Sequence, residues 1–249
     1  MRPLGGLLFD IDDTITLHGR IVPEAFDALV QARASGLRTI AVTGRPGGWC
    51  DHIARMWPVD GVVGENGGLW FFMREGRLER RFAQDSATRA SNRAKLESLR
   101  VEILRAVPGA AVASDQPYRD LDLAIDFRED VSPLPSAAID TIVAAFERGG
   151  ATCKVSSIHV NGWFGTFDKL SGWSQLVAEL DEDADATRWA FVGDSANDAP
   201  MFAHFDVSVG VANVDAFLDR IPVWPAWRAE RDGGYGFADF VRRVLELRR

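Results

Sequence analysis

Short apolar runs alternate with amphipathic stretches along the first third of the chain, a pattern that predicts strand, helix and strand in turn. Leu4 to Phe9 is apolar throughout, with the length and bounds of a buried parallel strand. Pro23 to Ala34 places Ala25, Phe26, Leu29, Val30 and Ala34 on helical spacing, with proline in the first turn and Gly36 just beyond the end. Leu37 to Val42 predicts a second strand, Trp49 to Met56 a second helix and Val59 to Val63 a third strand. Glu65-Asn66-Gly67-Gly68 is a turn into the strand Leu69 to Met73, and Arg74-Glu75-Gly76-Arg77 is a hairpin turn. Such alternation predicts a parallel sheet flanked by helices, with a hairpin added at one side.

The pattern changes near Gln84. Ser86 to Val107 is a polar helix, Ala111 to Ser114 and Leu121 to Phe127 are strand-like, Leu134 to Arg148 is helical and Ala151 to Val160 is strand-like again. This order describes a small α+β unit with an antiparallel sheet, inserted into the first domain. From Asp168 the alternation resumes: a helix from Lys169 to Leu180, strands Trp189 to Val192 and Val207 to Val211, a helix near Asp215 to Leu218 and a last helix from Phe237 to Leu247. The expected fold is α/β, a doubly wound parallel-sheet, Rossmann-like core made of residues 1–83 and 163–249, with an inserted α+β domain at 84–162. The Trp/Pro-rich stretch around Trp224 and Trp227 is expected to pack.

Composition narrows the functions open to this fold. With 249 residues, 47% of them hydrophobic, the chain can bury a large core. Lys+Arg 28 against Asp+Glu 36 gives a net charge of -8, which argues against nucleic acid or an anionic membrane as the main partner. An anionic small molecule would then need a local positive site. Cys50 and Cys153 have no metal-binding spacing and are read as thiols in a reducing compartment. No run reaches the roughly 18 apolar residues of a membrane span, and no cleavage site follows an apolar core. A cytoplasmic protein is expected, with its oligomeric state left open.

The chemistry gathers where strands end. Asp10, Asp12 and Asp13 follow the first strand; Asp10 and Asp12, two apart, would leave extended chain on the same side. Packing like charges there is costly without a cation, and Mg²⁺ suits oxygen ligands. The alternative is an acidic turn, with Asp13 or Thr14 capping the next helix. Thr43-Gly44-Arg45 ends a second strand and Gly193-Asp194-Ser195-Ala196-Asn197-Asp198 a later one. In a parallel sheet these ends share one edge, where ligands bind.

As a set, these residues resemble the haloacid dehalogenase superfamily of phosphotransferases. The D-x-D-x-T pattern matches Asp10, Asp12 and Thr14, the hydroxyl motif matches Thr43-Gly44-Arg45, the lysine matches Lys169 and G-D-x-x-N-D matches Gly193 through Asp198. The insertion is similar to the α/β cap of the sugar-phosphate phosphatase branch, where the Glu65-Asn66-Gly67-Gly68 turn is also typical. One departure is Asp13, where many members have glycine.

The resemblance implies a Mg²⁺-dependent phosphatase acting on a small phosphomonoester, a sugar or sugar acid. Asp10 would be the nucleophile and Asp12 the proton carrier. Asp10 and Asp194, with the main-chain carbonyl of Asp12, would bind Mg²⁺, while Asp198 and Asn197 would orient its waters or Lys169. Thr43 and Gly44 would hold the phosphoryl oxygens, with Arg45 beside them. Lys169 would neutralise charge; a cation at a helix N-terminus is unfavourable unless an anion is near, and only Lys95 and Lys154 are lysines besides it. Ser157, His159 and Asn161 alternate along a strand and would share the face that covers the site; Arg119, Asp120 and Asp122 are weaker candidates. His18, Trp49 and Trp163 are read as loop or packing residues. A phosphomutase using the same aspartates, or a ligand-binding protein that keeps the fold, are the alternatives.

Overall fold

A computed structural model describes residues 4–248. In chain order the first part comprises β1 (Gly6–Phe9), a small hairpin of β2 (Thr16–Leu17) and β3 (Arg20–Ile21), α1 (Pro23–Ala34), β4 (Arg38–Val42), α2 (Gly47–Met56), β5 (Gly61–Gly64), and the hairpin of β6 (Leu69–Arg74) and β7 (Arg77–Phe82). The insertion follows as α3 (Ser86–Ala106), β8 (Ala111–Val112), β9 (Asp122–Asp126), α4 (Ser136–Arg148), β10 (Thr152–Val155) and β11 (His159–Trp163). The chain then returns through α5 (Lys169–Glu179), β12 (Trp189–Gly193), α6 (Ala199–His204), β13 (Val207–Gly210), β14 (Trp227–Arg228) and α7 (Gly233–Leu247).

The main sheet has the order β14-β13-β12-β1-β4-β5-β6-β7. Its strands are parallel from β14 to β5, and β6 and β7 add antiparallel pairs. Period-2 alternation sends Leu7 and Phe9 to a layer with α1, α2 and α7, and Leu8 to a layer with α5 and α6. Burial of both faces explains why these strands read as continuous apolar runs, and their parallel pairing brings their carboxyl ends to one edge.

The insertion forms its own antiparallel sheet, ordered β10-β11-β9-β8. Leu123, Ile125, Phe127 and Val160 pack under α3 and α4 through Leu99, Ile103, Ile142 and Phe146. The alternate positions Asp122, Asp126, His159 and Asn161 lie on the other face, buried although polar. The domain is therefore a cap, one face apolar under its helices and the other laid on the core.

Several expectations are corrected. The stretch expected to run as strand from Ala151 to Val160 is broken at 156–158, where Ser156 Oγ accepts the N–H groups of Ile158 and His159 and so makes a turn. The helix near Asp215 is a 3₁₀ segment, Ala212–Arg220. The last helix begins at Gly233, four residues earlier than its apolar pattern, because its glycines let its first turn press on the acidic loop: a methyl group at Gly234 would sit 2.6 Å from the Ile15 carbonyl oxygen. Trp224 and Trp227 are half exposed instead of packed, as Trp49 is in part, whereas Trp163 is fully buried. The β2–β3 hairpin turns through His18 and Gly19, both at positive φ, a two-residue connection the apolar pattern does not signal. Among the described residues no helix is long and apolar enough to cross a membrane.

Candidate active site

The carboxyl ends of β1, β4 and β12 bring residues far apart in sequence into one cluster. Asp10 follows β1 and donates its N–H to the Val192 carbonyl of β12 at 2.9 Å. Asp194 follows β12, and Asp198 lies in the next turn, its Oδ2 accepting the N–H groups of Asp194 at 2.9 Å and Ser195 at 3.1 Å. Carboxylate oxygens of Asp10, Asp194 and Asp198 all lie within 4.8 Å of one another, and all three residues are buried.

Lys169 reaches into this cluster, its Nζ 2.7 Å from both Asp10 Oδ1 and Asp198 Oδ1. It is the first residue of α5, whose N-terminus is fixed by a reciprocal cap between Asp168 and Ser171. A close approach sets that helix in place: Gly67, at φ 102°, stands where a side chain would lie 1.9 Å from the Asp168 carbonyl oxygen. Burial would discharge Lys169, but Asp10 and Asp198 hold its pKa above the ordinary lysine range. Against Asp10 burial prevails and lifts its carboxyl to about 8, with Lys169 pulling the other way and Asp198 adding to the rise. Burial, then the charges of Asp10 and Asp198, push Asp194 well up too. Three buried carboxylates against one ammonium leave negative charge that a divalent cation would compensate, and oxygen donors at this spacing suit Mg²⁺. Thr14 donates its hydroxyl to Asp194 Oδ1 at 3.2 Å, and Asn213 donates to Asp194 Oδ2 at 3.1 Å and to the Asp13 carbonyl at 3.0 Å.

Asp12 does not share this cluster through its side chain. The chain leaves β1 at Phe9 and curls so that Thr14, Ile15 and Thr16 donate N–H to the Ile11 carbonyl, ending the extended geometry that would keep Asp10 and Asp12 together. The Asp12 carboxylate instead receives Arg45, with Nε at 2.9 Å and the terminal nitrogen at 2.7 Å. Arg45 is buried and also reaches Glu129 at 2.5 Å and Asp115 at 3.3 Å, while its guanidinium lies 4.5 Å from the Trp49 ring centroid. Thr43 is buried at the end of β4, where its Oγ1 accepts the Arg45 N–H at 3.1 Å and its hydroxyl proton stays available.

The cap supplies the opposite wall. Asp10, Asp12, Gly44, Arg45, Ser156, Ile158, His159, Asn161 and Asn197 line a cleft of only about 10 Å³, room for about one water. His159 Nε2 lies 2.9 Å from Glu129 Oε2, off the line of a hydrogen bond. Asn161 donates to Asp122 at 2.8 Å, and Asp122 pairs with Arg119 at 3.0 Å, both buried. Ser157 is not brought into this wall; it sits in the turn before β11, its hydroxyl buried without a partner. The Asp120 side chain is partly exposed, 3.8 Å from Arg89. Asn197 lines the cleft but bonds Asn66 and Ser195 and not Lys169.

Glu129, Asn213 and Asp115 escaped the sequence reading. Glu129 lies in a charged run after an apolar strand, and Asp126 presents it by accepting the N–H groups of Arg128, Glu129 and Asp130 at 2.8–2.9 Å. That run of charges at a strand end was the available signal. Asn213 carried none, lying in a segment without periodicity.

No protein-family model and no curated protein matches this sequence. Solved structures do match over nearly the whole chain. A protein of Thermoplasma acidophilum superposes with a TM-score of 0.73 at 18% identity, covering 98% of this chain and 99% of its own. The sucrose-phosphatase of Synechocystis, solved with sucrose and phosphate, gives 0.67 at 16% identity over 98% and 99%. A phosphatase of the HAD enzyme superfamily from Bacteroides thetaiotaomicron gives 0.62 at 18% identity over 99% and 94%. The chain has the haloacid dehalogenase fold. Within the HAD fold the carboxylate cluster stands at the sheet edge where such open α/β sheets bind ligands, and the cap lies directly over it.

Proposed function

We propose that this protein is a Mg²⁺-dependent phosphatase that hydrolyses a small phosphorylated sugar or sugar acid through a phosphoaspartate at Asp10. The observation that carries the reading is the buried Asp10 carboxylate, held at 2.7 Å by Lys169 beside Asp194 and Asp198. A phosphomonoester is doubly anionic, so a carboxylate can attack it only where other charges offset the repulsion. Asp10 and Asp194, with the main-chain carbonyl of Asp12, would hold Mg²⁺, which supplies that neutralisation. Lys169 supplies the remainder and fixes Asp10, with Asp198 holding the ammonium from its other side.

An Asp10 oxygen attacks phosphorus as the bond to the sugar oxygen breaks, and Asp12 gives its proton to the departing oxygen. Water then attacks the phosphoaspartate, Asp12 takes the water's proton, and inorganic phosphate leaves with Asp10 restored. The Thr43 hydroxyl and the N–H groups of the following loop bind phosphoryl oxygens. Asp12 must first be released by Arg45, which Asp115 and Glu129 already hold on its other side. His159 and Asn161 face the leaving group from the cap, residues 84–162, which lifts to admit substrate because the closed cleft holds about 10 Å³. Cys50 and Cys153 are free thiols, in accord with the cytoplasm as the site of reaction.

Phosphate release from a panel of sugar phosphates and phosphoglycerate conjugates, with and without Mg²⁺, tests the reading. Turnover should need Mg²⁺ and fall by about three orders of magnitude or more in Asp10→Asn. Interconversion of sugar-phosphate isomers with little phosphate release would identify a mutase instead, and substantial activity in Asp10→Asn would remove the nucleophile.

A further inference from the structure

The turn after β5 is given no task by the chemistry above, yet it is among the most constrained parts of the molecule. Glu65 and Asn66 both take positive φ, 45° and 52°, a strained backbone for residues with side chains that persists only where the surroundings hold it. Those surroundings are the loop that follows β4. Glu65 donates its N–H to the Arg45 carbonyl at 3.0 Å, Asn66 donates to the Thr43 carbonyl at 3.1 Å, and Glu65 Oε1 accepts the Gly47 N–H at 3.2 Å. The turn therefore grips the Thr43–Gly47 loop at alternate residues.

The same carboxylate, fully buried, also grips the cap. It accepts N–H groups from Asp120 at 2.9 Å, Leu121 at 2.6 Å and Asp122 at 3.3 Å. Each of its hydrogen bonds is one it accepts, which favours the anion, while burial and the charge of Asp122 act the other way and lift its carboxyl to about 8. Beside it, Arg119 donates to the Gly44 carbonyl at 2.9 Å, so the segment just before β9 is tied to both ends of the phosphate-binding loop. Asp122 continues the connection to Asn161 in the cleft.

We infer that Glu65 is a positioning residue that seats the cap, its carboxylate joining the Asp120–Asp122 segment to the Thr43–Gly47 loop so that cap and loop close as one unit. Lifting the cap removes three of its donors, and reseating restores them. The effect on turnover rests on the phosphatase reading; the seating itself does not. Glutamine at this position would turn an amide NH₂ toward N–H donors.

Amide hydrogen exchange on the full chain without substrate tests the seating directly, and kinetics on a sugar phosphate and on 4-nitrophenyl phosphate test its consequence. In Glu65→Gln the amides of Asp120, Leu121 and Asp122 should exchange about tenfold faster, while amides in α3 and α4 keep their rates. The kcat/KM for the sugar phosphate should fall about tenfold, and that for the nitrophenyl ester, whose leaving group needs little from the cap, should fall several-fold less. Unchanged protection at 120–122, or an equal fall with both esters, would overturn the inference. If Glu65→Gln fails to fold, Glu65→Asp, which keeps the carboxyl group but withdraws it by one methylene, is read in the same way. Wild-type protein that releases no phosphate from either ester, with exchange at 120–122 still governed by Glu65, would end the phosphatase reading and leave the seating intact.

Discussion

The two walls of the cleft solve the problem of buried charge in opposite ways. On the core wall, Asp10, Asp194 and Asp198 are fixed by strand ends and main-chain N–H groups, and Lys169 is their only cation among the described partners. On the cap-facing wall, Asp12, Glu129, Asp115 and Asp122 share Arg45 and Arg119, each carboxylate within salt-bridge distance of a guanidinium. On the first wall Asp194 has no cation within salt-bridge distance among the described residues, a place that an ion can fill; on the second every carboxylate already has an arginine, and the pairs have to be opened. Preorganised groups of the first kind stabilise a transition state without reorganising. Networks of the second kind fit a part that moves, since partners exchanged in place keep each buried charge satisfied.

The largest expected effect comes from removing the single cation of the core wall. Lys169→Met leaves Asp10 and Asp198 without their counter-charge, and breaking a buried pair from one side costs about 3–5 kcal/mol. Denaturant unfolding without metal should register that loss, and saturating Mg²⁺ should recover part of it by binding the folded state. Turnover should fall by about a thousandfold or more. A variant as stable as wild type without metal would mean that the core wall is not short of positive charge, and the contrast between the walls would collapse.

A smaller effect is expected from Arg45→Ala, which opens the cap-facing wall. Asp12, Asp115 and Glu129 lose a common partner, but Asp115 keeps Arg119 and Glu129 keeps His159. Stability should fall by about 2 kcal/mol, less than for Lys169, because part of the network re-forms and Asp12 and Glu129 can reach water. With Asp12 released, the kinetic penalty should fall on KM for sugar phosphates more than on kcat. A loss in kcat as large as that of Lys169→Met would place Arg45 in the chemistry itself.

The core wall was legible in the sequence for a physical reason. Most of its groups stand at the ends of apolar strands, and parallel pairing converts order along the chain into adjacency at one sheet edge; Asp10, Thr43 and Asp194 follow from that rule, while Lys169, the first residue of α5, follows from the motif and from a cation at a helix N-terminus. The cap-facing wall obeys no such rule. Glu129 and Asp115 are placed by turns, Ser157 is turned away because Ser156 bends the chain, and Asp12 faces Arg45 because the chain coils at Ile11. Side-chain period is a property of regular backbone, so it located His159 and Asn161 within a strand and failed where the strand ended. Trp224 and Trp227 misled for a related reason, since an aromatic composition does not reveal which face of a loop reaches the core.

The mildest test concerns pH, and it separates the walls by direction. Burial alone would raise the Glu129 carboxyl, but the His159 ring and the Arg45 guanidinium outweigh it and hold its pKa near 2, against an ordinary 4.5. A depressed carboxyl contributes stability that is complete above its unfolded pKa and is lost as pH falls through the folded one. The Glu129 contribution should therefore be intact above about pH 5 and fade toward about pH 2. Glu129→Gln removes the titrating group, so the stability difference from wild type should be constant above about pH 5 and shrink on acidification, as read by denaturant unfolding at a series of pH values. Asp10, whose carboxyl is raised, not lowered, belongs to a wall that acid relieves. A difference between wild type and Glu129→Gln that stayed flat down to about pH 3 would mean that Glu129 is not bound to Arg45 and His159 in solution, and that the cap-facing wall stands open without substrate.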